Sequence, residues 1–511
     1  MSTAKRVLSG TVAAWARIGV TMVSQILLVP IFLTYWDLET YGVWIAIQAF
    51  INILSTFDRG FNDYLEFEFL KIGAENKAEI SALLYSAFGA MVVIGLAEFI
   101  IVLGLVFGAN STSWLFNTTS KTTSLTVCLA VVIQWGTWTL TNGVGMFTRL
   151  MSAFGHYHRM TWWGVLIAAV SSIAQIGPVV LGGGLIEASL MTAVVTIPLL
   201  ALQLLSIIRI LQREEIFYSR PALSVGIHRF GTSMLLSLRY FLDNFQQQGI
   251  RLFIAPVLGV VSLATFSTTR TSANVILQGL TTIAYPIMPE MMRFLHQRNQ
   301  QKLEMTFDTI WFMVIAVLAP AIVVIQSVGG LLFHEWTRGK IEFNPLLFAS
   351  LSLSVLVYGF AQVAMAVLKG NNLLKKQLIL SLCASATLLG MLVALLPTLN
   401  LFGAGLALLA AESMSAFIAI SIASKWLNQH QLHWPRRKSQ LVIISLLITA
   451  VGLITMSSWT EYEWQIMLGT LLFLAVNTFN YWKAMANETT HAIQQTMGRY
   501  IKNVKGHTYN L

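Results

Sequence analysis

The feature that most limits what this chain can fold into is its alternation: fourteen predominantly apolar runs, each about 20 residues or longer, separated by short polar segments. A helix rises 1.5 Å per residue, so a run of about 20 residues matches the roughly 30 Å hydrocarbon core of a bilayer. The runs cover residues 8–34, 41–62, 82–107, 123–148, 161–182, 187–208, 229–252, 260–286, 308–332, 345–368, 377–398, 402–424, 439–458 and 463–483. The first is too long for the core of a signal peptide and no small-residue cleavage site follows it, so a retained helix is expected. Composition agrees. Of 511 residues, 56% are hydrophobic and 11% charged, where a soluble protein carries about 25% charged residues. Thirty-two basic and 22 acidic side chains cannot coat the surfaces of two or three soluble domains. A water-soluble enzyme is excluded, and an all-α polytopic membrane protein of about 14 transmembrane helices is expected.

Basic residues resist translocation, so their distribution predicts orientation. With the N-terminus in the cytoplasm, 25 of the 32 lysines and arginines fall in cytoplasmic segments, including Arg209, Arg213, Arg220 and Arg229 in one loop and Arg436, Arg437 and Lys438 in another. Only Lys121, Arg338 and Lys340 fall outside. The even number of spans returns the C-terminal tail, with Lys483, Arg499, Lys502 and Lys505, to the cytoplasm. The net charge of +10 is therefore a topology signal rather than a nucleic-acid surface, which would concentrate basic residues on one solvated face. An inner-membrane, multi-pass location with both termini cytoplasmic is expected. Cys128 and Cys383 both lie inside apolar runs, so neither a disulfide framework nor metal-ligand spacing is present, and no metal or other cofactor is expected.

The loops are short. None forms an extracytoplasmic domain, and none carries the G-x-x-x-x-G-K-[ST] phosphate loop needed to use ATP. A polar linker at 211–228, with Glu214, Glu215 and Arg220-Pro221, divides a first six-helix lobe (1–210) from a second (229–430). Residues 431–485 hold spans 13 and 14 as an appended hairpin, and 486–511 form a tail. Gly10-Thr11 before Arg17 and Gly231-Thr232 before Arg239 form a weak local echo between the halves. Transporters built from repeated bundles place substrate sites near the midplane.

A charge at the bilayer centre costs about 2.5 to 3.5 kcal/mol on insertion scales, so each embedded one needs a reason. Counting from span ends at 1.5 Å per residue puts Arg17, Arg239 and Arg270 each about 15 Å deep. Asp243 follows one turn after Arg239 and begins a polar stripe with Gln246, Gln247 and Gly249, while Arg251 falls near the outer interface. One reading is a cationic cavity for an anionic headgroup, since guanidinium stays charged in a poor dielectric and grips phosphate bidentately. The plainer reading, open for Arg239 and Asp243, is an ion pair at i,i+4. Asp58 and Arg59 adjoin at the inner end of span 2, Glu98 lies in span 3 and Glu412 in span 12. Desolvated carboxyls can carry a proton or hold sodium, so Asp58, Asp243, Glu98 and Glu412 are candidates for ion coupling, with locks between helices as the alternative.

Aromatic residues at span ends, such as Trp36, Trp44, Trp114, Trp336, Trp459 and Trp464, read as an interfacial belt, as do Trp162 and Trp163. Trp135 and Trp138 inside span 4 could stack on sugars, though packing is the simpler role. The sequons at Asn110 and Asn117 are short-loop coincidences, and Asp37-Leu38-Glu39 reads as a solvated loop rather than a donor-sugar motif.

Two segments carry a family resemblance. Leu8-Ser9-Gly10 through Arg17, followed by Leu28-Val29-Pro30-Ile31-Phe32-Leu33-Thr34-Tyr35-Trp36-Asp37-Leu38-Glu39-Thr40-Tyr41-Gly42-Val43-Trp44, resembles the start of Wzx-type polysaccharide flippases of the multidrug/oligosaccharidyl-lipid/polysaccharide (MOP) exporter superfamily. Ser267-Thr268-Thr269-Arg270 with Tyr285-Pro286-Ile287-Met288-Pro289-Glu290 resembles that family's eighth helix and the amphipathic segment after it. Tyr35-Trp36-Asp37 departs from the Leu-Gly pair common in relatives. The resemblance implies a V-shaped pair of lobes whose helices 1, 2, 7 and 8 line a central cavity. It also implies a cargo, an oligosaccharide on undecaprenyl pyrophosphate. Taken together, these expectations describe a non-enzymatic flippase for an O-antigen or similar lipopolysaccharide repeat unit, with Arg17, Arg59, Arg239 and Arg270 on the pyrophosphate and Gln246 and Gln247 in the polar cavity. A proton or sodium gradient would drive it. Membrane lipids, a polysaccharide polymerase and a chain-length regulator are the expected partners. The alternatives are a drug exporter of the same architecture, which three midplane arginines disfavour, and a membrane polymerase or glycosyltransferase, which lacks the acidic outer loop it would need.

Overall fold

A computed structural model describes residues 3–108 and 124–485. The sequons at Asn110 and Asn117, Trp114, Lys121, Arg499, Lys502 and Lys505 lie outside the described residues. Within them the elements are helices: α1 (Thr3–Tyr35), α2 (Leu38–Ile72), α3 (Lys77–Phe107), α4 (Ser124–Leu150), α5 (Tyr157–Val180), α6 (Leu185–Arg213), α7 (223–258), α8 (260–296), α9 (Gln300–Trp336), α10 (Pro345–Gly370), α11 (374–399), α12 (401–429), α13 (Arg436–Ser458) and α14 (Glu463–Ala484). Eleven continuous helical stretches are long and apolar enough to cross a membrane. Two of them, 223–279 and 374–429, each contain two spans, separated at Gly259 (φ 84°) and Asn400 (φ 49°). With α14, fourteen helices are present among the described residues, and the chain is a multi-pass membrane protein.

Local chemistry sets several helix starts. Asp37 accepts the Thr40 amide at 2.7 Å, Asn299 the Lys302 amide at 3.0 Å and Asn344 the Leu347 amide at 3.0 Å, each supplying an N-cap to otherwise orphaned donors. Asp37-Leu38-Glu39 is thus the capped first turn of α2 and not a solvated loop. Helix α2 also runs ten residues beyond the expected end at 62, to Ile72, with a break at Ser55. Hydropathy stopped the reading short because the extension carries Asp63, Glu66 and Glu68, each of which has a partner in the folded chain. Asp58 and Arg59 therefore lie inside a longer helix, Asp58 about 21 Å from its Ile72 end at 1.5 Å per residue.

The chain forms two compact units, Met1–Thr271 with His334–Ile341, and Ser272–Phe333 with Glu342–Leu511. In the first, α1 packs on α5, α4 on α6, and α7 on both α2 and α3. At the α2–α7 crossing Gly60 faces Ser237 so closely that any side chain at Gly60 would collide with it. The short 334–341 segment belongs to this unit through Trp336 Nε1, which donates to the Ile26 carbonyl at 2.7 Å, and Lys340 Nζ, which donates to the Trp36 carbonyl at 2.9 Å. Trp336 is therefore a hydrogen-bonding anchor as well as an aromatic at a helix end.

In the second unit α10 is apolar on all faces and 83% of its hydrophobic window is buried, as expected for a helix at the centre of a bundle. It packs against the 374–429 helices, α9 and α13. Trp311, Phe307, Phe360 and Trp434 form an aromatic cluster there, with the Trp311 Nε1 donating to the Phe360 carbonyl at 3.1 Å. Hairpin α13–α14 docks through Lys438, whose Nζ lies 3.0 Å from Glu304 and 2.9 Å from Asp308. Tyr481 donates to the other Asp308 oxygen at 3.3 Å.

Candidate functional site

Polar side chains in the first unit are arranged as two facing stripes. On α4, Gln134, Trp138 and Asn142 recur every fourth residue and so share one helix face. Opposite them on α2 stand Gln48, Asp58, Asn62 and Glu66. Gln48 Nε2 donates to Gln134 at 2.8 Å, Trp138 Nε1 to Asp58 Oδ2 at 2.9 Å, Asn62 Nδ2 to Asn142 Oδ1 at 2.5 Å, and Arg149 Nη1 to Glu66 at 3.0 Å. Gln134 continues to Ser189 of α6 at 3.0 Å. In a low dielectric an unpaired polar group is expensive, and the ladder pairs these side chains across the two helices, leaving the Asn62 Oδ1 as a buried oxygen without a donor among the described residues.

The break in α2 lies next to the ladder. The Asn52 carbonyl accepts the Ser55 and Thr56 hydroxyls at 2.9 and 3.1 Å and the Asn244 amide of α7 at 2.7 Å; Asn244 also reaches Thr56 Oγ1 at 2.8 Å. Directly after Asn244, α7 widens into a π-helical turn at Phe245–Gly249. Such turns free backbone carbonyls from the α ladder. Here Arg270 of α8, 3% exposed, donates to the Gln247 carbonyl and to Gln247 Oε1, both at 2.7 Å. Arg251 donates to Gln248 at 2.8 Å.

Asp58 is buried, accepts the Trp138 indole N–H and lies beside Glu98 of α3 and Asn142 of α4 on the wall of one cavity. Both carboxyls line a cavity of about 810 Å³ between α3, α4, α6 and the chain at 216–218, whose walls are mostly apolar and include Phe88, Phe99 and Phe147. Arg59 is exposed, its guanidinium 5.0 Å from the Trp138 ring centroid and 3.4 Å from Asn52 Oδ1. Arg17, also exposed, lies against Gly164 of α5 and is close enough to repel Arg59 electrostatically. Arg239 is largely buried and pairs with Asp243 at 3.7 Å, the i,i+4 ion pair that the spacing allowed. At that length the contact is an ion pair only, and Arg239 Nε is buried without a hydrogen-bond acceptor among the described residues.

The fold therefore brings Asp58, Glu98, Arg59 and Arg17 into one neighbourhood, pairs Arg239 with Asp243, and joins Arg270 to Gln247. Gln246 is buried in the π turn. Glu412 is buried and belongs to the second unit. Trp138, read from sequence as packing or sugar-stacking, is the residue that links the acid to the arginine. The signal that could have found it was its place in the every-fourth-residue polar stripe of α4.

Comparison with solved structures places this architecture. A lipid II flippase, MurJ, in an inward closed conformation superposes with a TM-score of 0.65 at 13% identity, over 91% of this chain and 97% of that one. A multidrug-resistance MATE transporter of the MOP superfamily, inward-facing, gives 0.64 at 14% identity over 81% and 98%. The fold is the MOP fold. A MOP superfamily transporter from Pyrococcus furiosus, described as having a binding pocket of reverse polarity, gives 0.56 at 13% identity over 83% and 96%. No family model and no curated protein sequence matches the chain. At such identities the MOP fold is what is shared.

Proposed function

We propose that this chain is a flippase carrying an undecaprenyl-pyrophosphate-linked oligosaccharide, an O-antigen or another surface-polysaccharide repeat unit, from the cytoplasmic to the periplasmic leaflet of an inner membrane by ion-coupled alternating access. The observation that carries this reading is the pair of exposed guanidiniums of Arg17 and Arg59 on helices long and apolar enough to cross a membrane. Two like charges held together at such a depth are unfavourable unless an anion joins them, and guanidinium matches phosphate geometry. Arg239, whose Nε has no hydrogen-bond acceptor, is the third ligand in this reading. Arg270 contributes by holding the π turn of α7 through Gln247, with Gln246 and Gln247 shaping the polar wall. The MurJ likeness supports a lipid-linked cargo, because that neighbour is a lipid II flippase. A proton or sodium ion would enter at Asp58 with Glu98, or at Asp243, with Glu412 as the corresponding acid of the second unit. Without such a differential, binding equally to both states shifts nothing.

A second reading has one observation in its favour. The apolar cavity with Asp58 and Glu98 on its wall would suit a lipophilic cation, as a drug exporter requires. Complementation separates the two. In a strain lacking its polysaccharide flippase, the wild-type chain restores surface polysaccharide, and Arg17→Ala or Arg59→Ala variants that insert normally do not. Full restoration by both variants removes the phosphate-clamp assignment, and drug resistance without restoration favours the exporter.

A further inference from the structure

Asp58 and Arg59 are neighbours in sequence but occupy different surroundings, because one helical step turns the side chain by about 100°. Asp58 is buried toward α3 and α4, while Arg59 is exposed. A single indole touches both. The N–H of Trp138 donates to Asp58 Oδ2 at 2.9 Å, and its ring face carries the Arg59 guanidinium at 5.0 Å. Glu98 shares the wall of the same largely apolar cavity with Asp58. Two carboxyl groups on one apolar wall cannot both ionise cheaply, so such a pair holds a proton. On one side of Trp138 lies a charge that can bind an anion, and on the other a pair that can bind or release a proton.

We infer that Trp138 is a positioning residue that links anion binding at Arg59 to proton binding by the Asp58–Glu98 pair. The inference rests on the diphosphate reading of Arg17 and Arg59 given above. Arg59 favours an ionised Asp58 while its own charge is unneutralised. A diphosphate on Arg59 cancels that charge, and the carboxyl pair takes up a proton from solvent; no bond other than O–H is made. By linkage, a protonated pair must then bind diphosphate more tightly by the same factor. The groups that bear on the pair are Arg59 and Asp63 on α2, Arg17 on α1, Glu98 and Tyr85 on α3, Trp138 and Asn142 on α4, and Tyr218 at the cavity edge. Trp138 acts twice in this arrangement. Its N–H stabilises the ionised form of Asp58, so that there is a vacancy for the proton, and its face keeps Arg59 within range of that carboxyl.

The test uses the full-length protein in nanodiscs and farnesyl diphosphate as the probe. Binding is followed by calorimetry in two buffers of different ionisation enthalpy, which reports protons taken up per ligand bound. Wild type is expected to take up a proton fraction on binding, and its affinity to rise about tenfold across the pH range in which the pair titrates, within the usual 5- to 150-fold span of coupling. Trp138→Phe keeps a ring under Arg59 but lacks the donor, so it loses the hydrogen bond that favours the ionised form of Asp58. That variant should bind farnesyl diphosphate at neutral pH at least as tightly as wild type, since a ring face is retained and loss of the donor favours the protonated pair, yet show little proton uptake and a flat pH profile. If Trp138→Phe does not fold, Asp58→Asn tests the same point, because it removes the titrating partner directly. Diphosphate binding by wild type without proton uptake overturns the linkage alone, and so does undiminished uptake in Trp138→Phe. Absence of diphosphate binding by wild type overturns the linkage together with the clamp on which it rests.

Discussion

Replacing Lys438 with methionine is the perturbation whose size follows most directly from the structure. Its ammonium sits 2.9 Å from Asp308 and 3.0 Å from Glu304, Asp308 is fully buried, and Lys438 is 8% exposed. At an effective dielectric of about 20, unit charges at such a separation attract by roughly 6 kcal/mol. Desolvating the three groups offsets most of that, so the intact cluster contributes little net stability. Removing the cation is different: two carboxylates remain without their counter-charge, with neutral donors such as Tyr481 on Asp308 and Gln300 on Glu304. Breaking a buried pair in this way costs about 3–5 kcal/mol. For a unit of this size each kcal/mol corresponds to about 2–4 °C, so Lys438→Met should lower the unfolding midpoint by roughly 6–20 °C. The assay is thermal unfolding of purified protein in detergent, followed by tryptophan fluorescence. Arg436 and Arg437 remain in the variant, so the basic signal for orientation is preserved. Adding Asp308→Leu and Glu304→Gln to Lys438→Met should recover most of the loss. A single variant within about 1 kcal/mol of wild type would refute the reasoning, since a buried carboxylate stripped of its cation cannot be that cheap.

Three further outcomes are expected. Gly60→Val forces α2 away from Ser237 of α7 and should destabilise the protein by about 1–3 kcal/mol or more, read by the same unfolding assay. Arg270→Lys can keep one of the two bonds to Gln247 but not both, so amide exchange in the 245–249 turn should rise while exchange in α4 is unchanged. Lys77 donates to Glu215 at 2.6 Å and holds that exposed carboxyl below its usual range. A carboxyl depressed in the folded state adds stability above its unfolded value and loses it as pH falls through the folded value. The small midpoint difference between wild type and Lys77→Met should therefore be present at neutral pH and vanish in acid, and a difference that grows in acid would contradict the assignment.

The helices were legible because hydropathy and length are local properties, and the fold class followed from them. What hydropathy misjudged was charge neutralised by a distant partner. Asp63, Glu66 and Glu68 made the end of α2 look like a loop, whereas Arg149 pairs with the first two and Arg229 with the third. Lys438 read as one more loop cation for the same reason, since nothing near it in sequence announces Asp308. Asp58, Glu98 and Arg59 were each singled out by depth, but their grouping depends on α2, α3 and α4 meeting, which no local pattern specifies. Arg270 was singled out by depth alone. It donates to the carbonyl and side-chain oxygen of Gln247, and the π turn that presents them has no sequence signature beyond the Gln246-Gln247-Gln248-Gly249 run.

The central claim is that Arg17 and Arg59 bind the diphosphate of a lipid-linked cargo. The most direct measurement is leaflet exchange of a prenyl-diphosphate-linked oligosaccharide in proteoliposomes carrying the purified chain, scored by access of an impermeant glycan-modifying enzyme. Wild type should move the labelled lipid across, and Arg17→Ala and Arg59→Ala should each slow exchange at least tenfold, the loss expected when a charge-assisted phosphate contact of about 1.5–3 kcal/mol is removed. Exchange by both variants at the wild-type rate, in vesicles with equal amounts of folded protein, would contradict it.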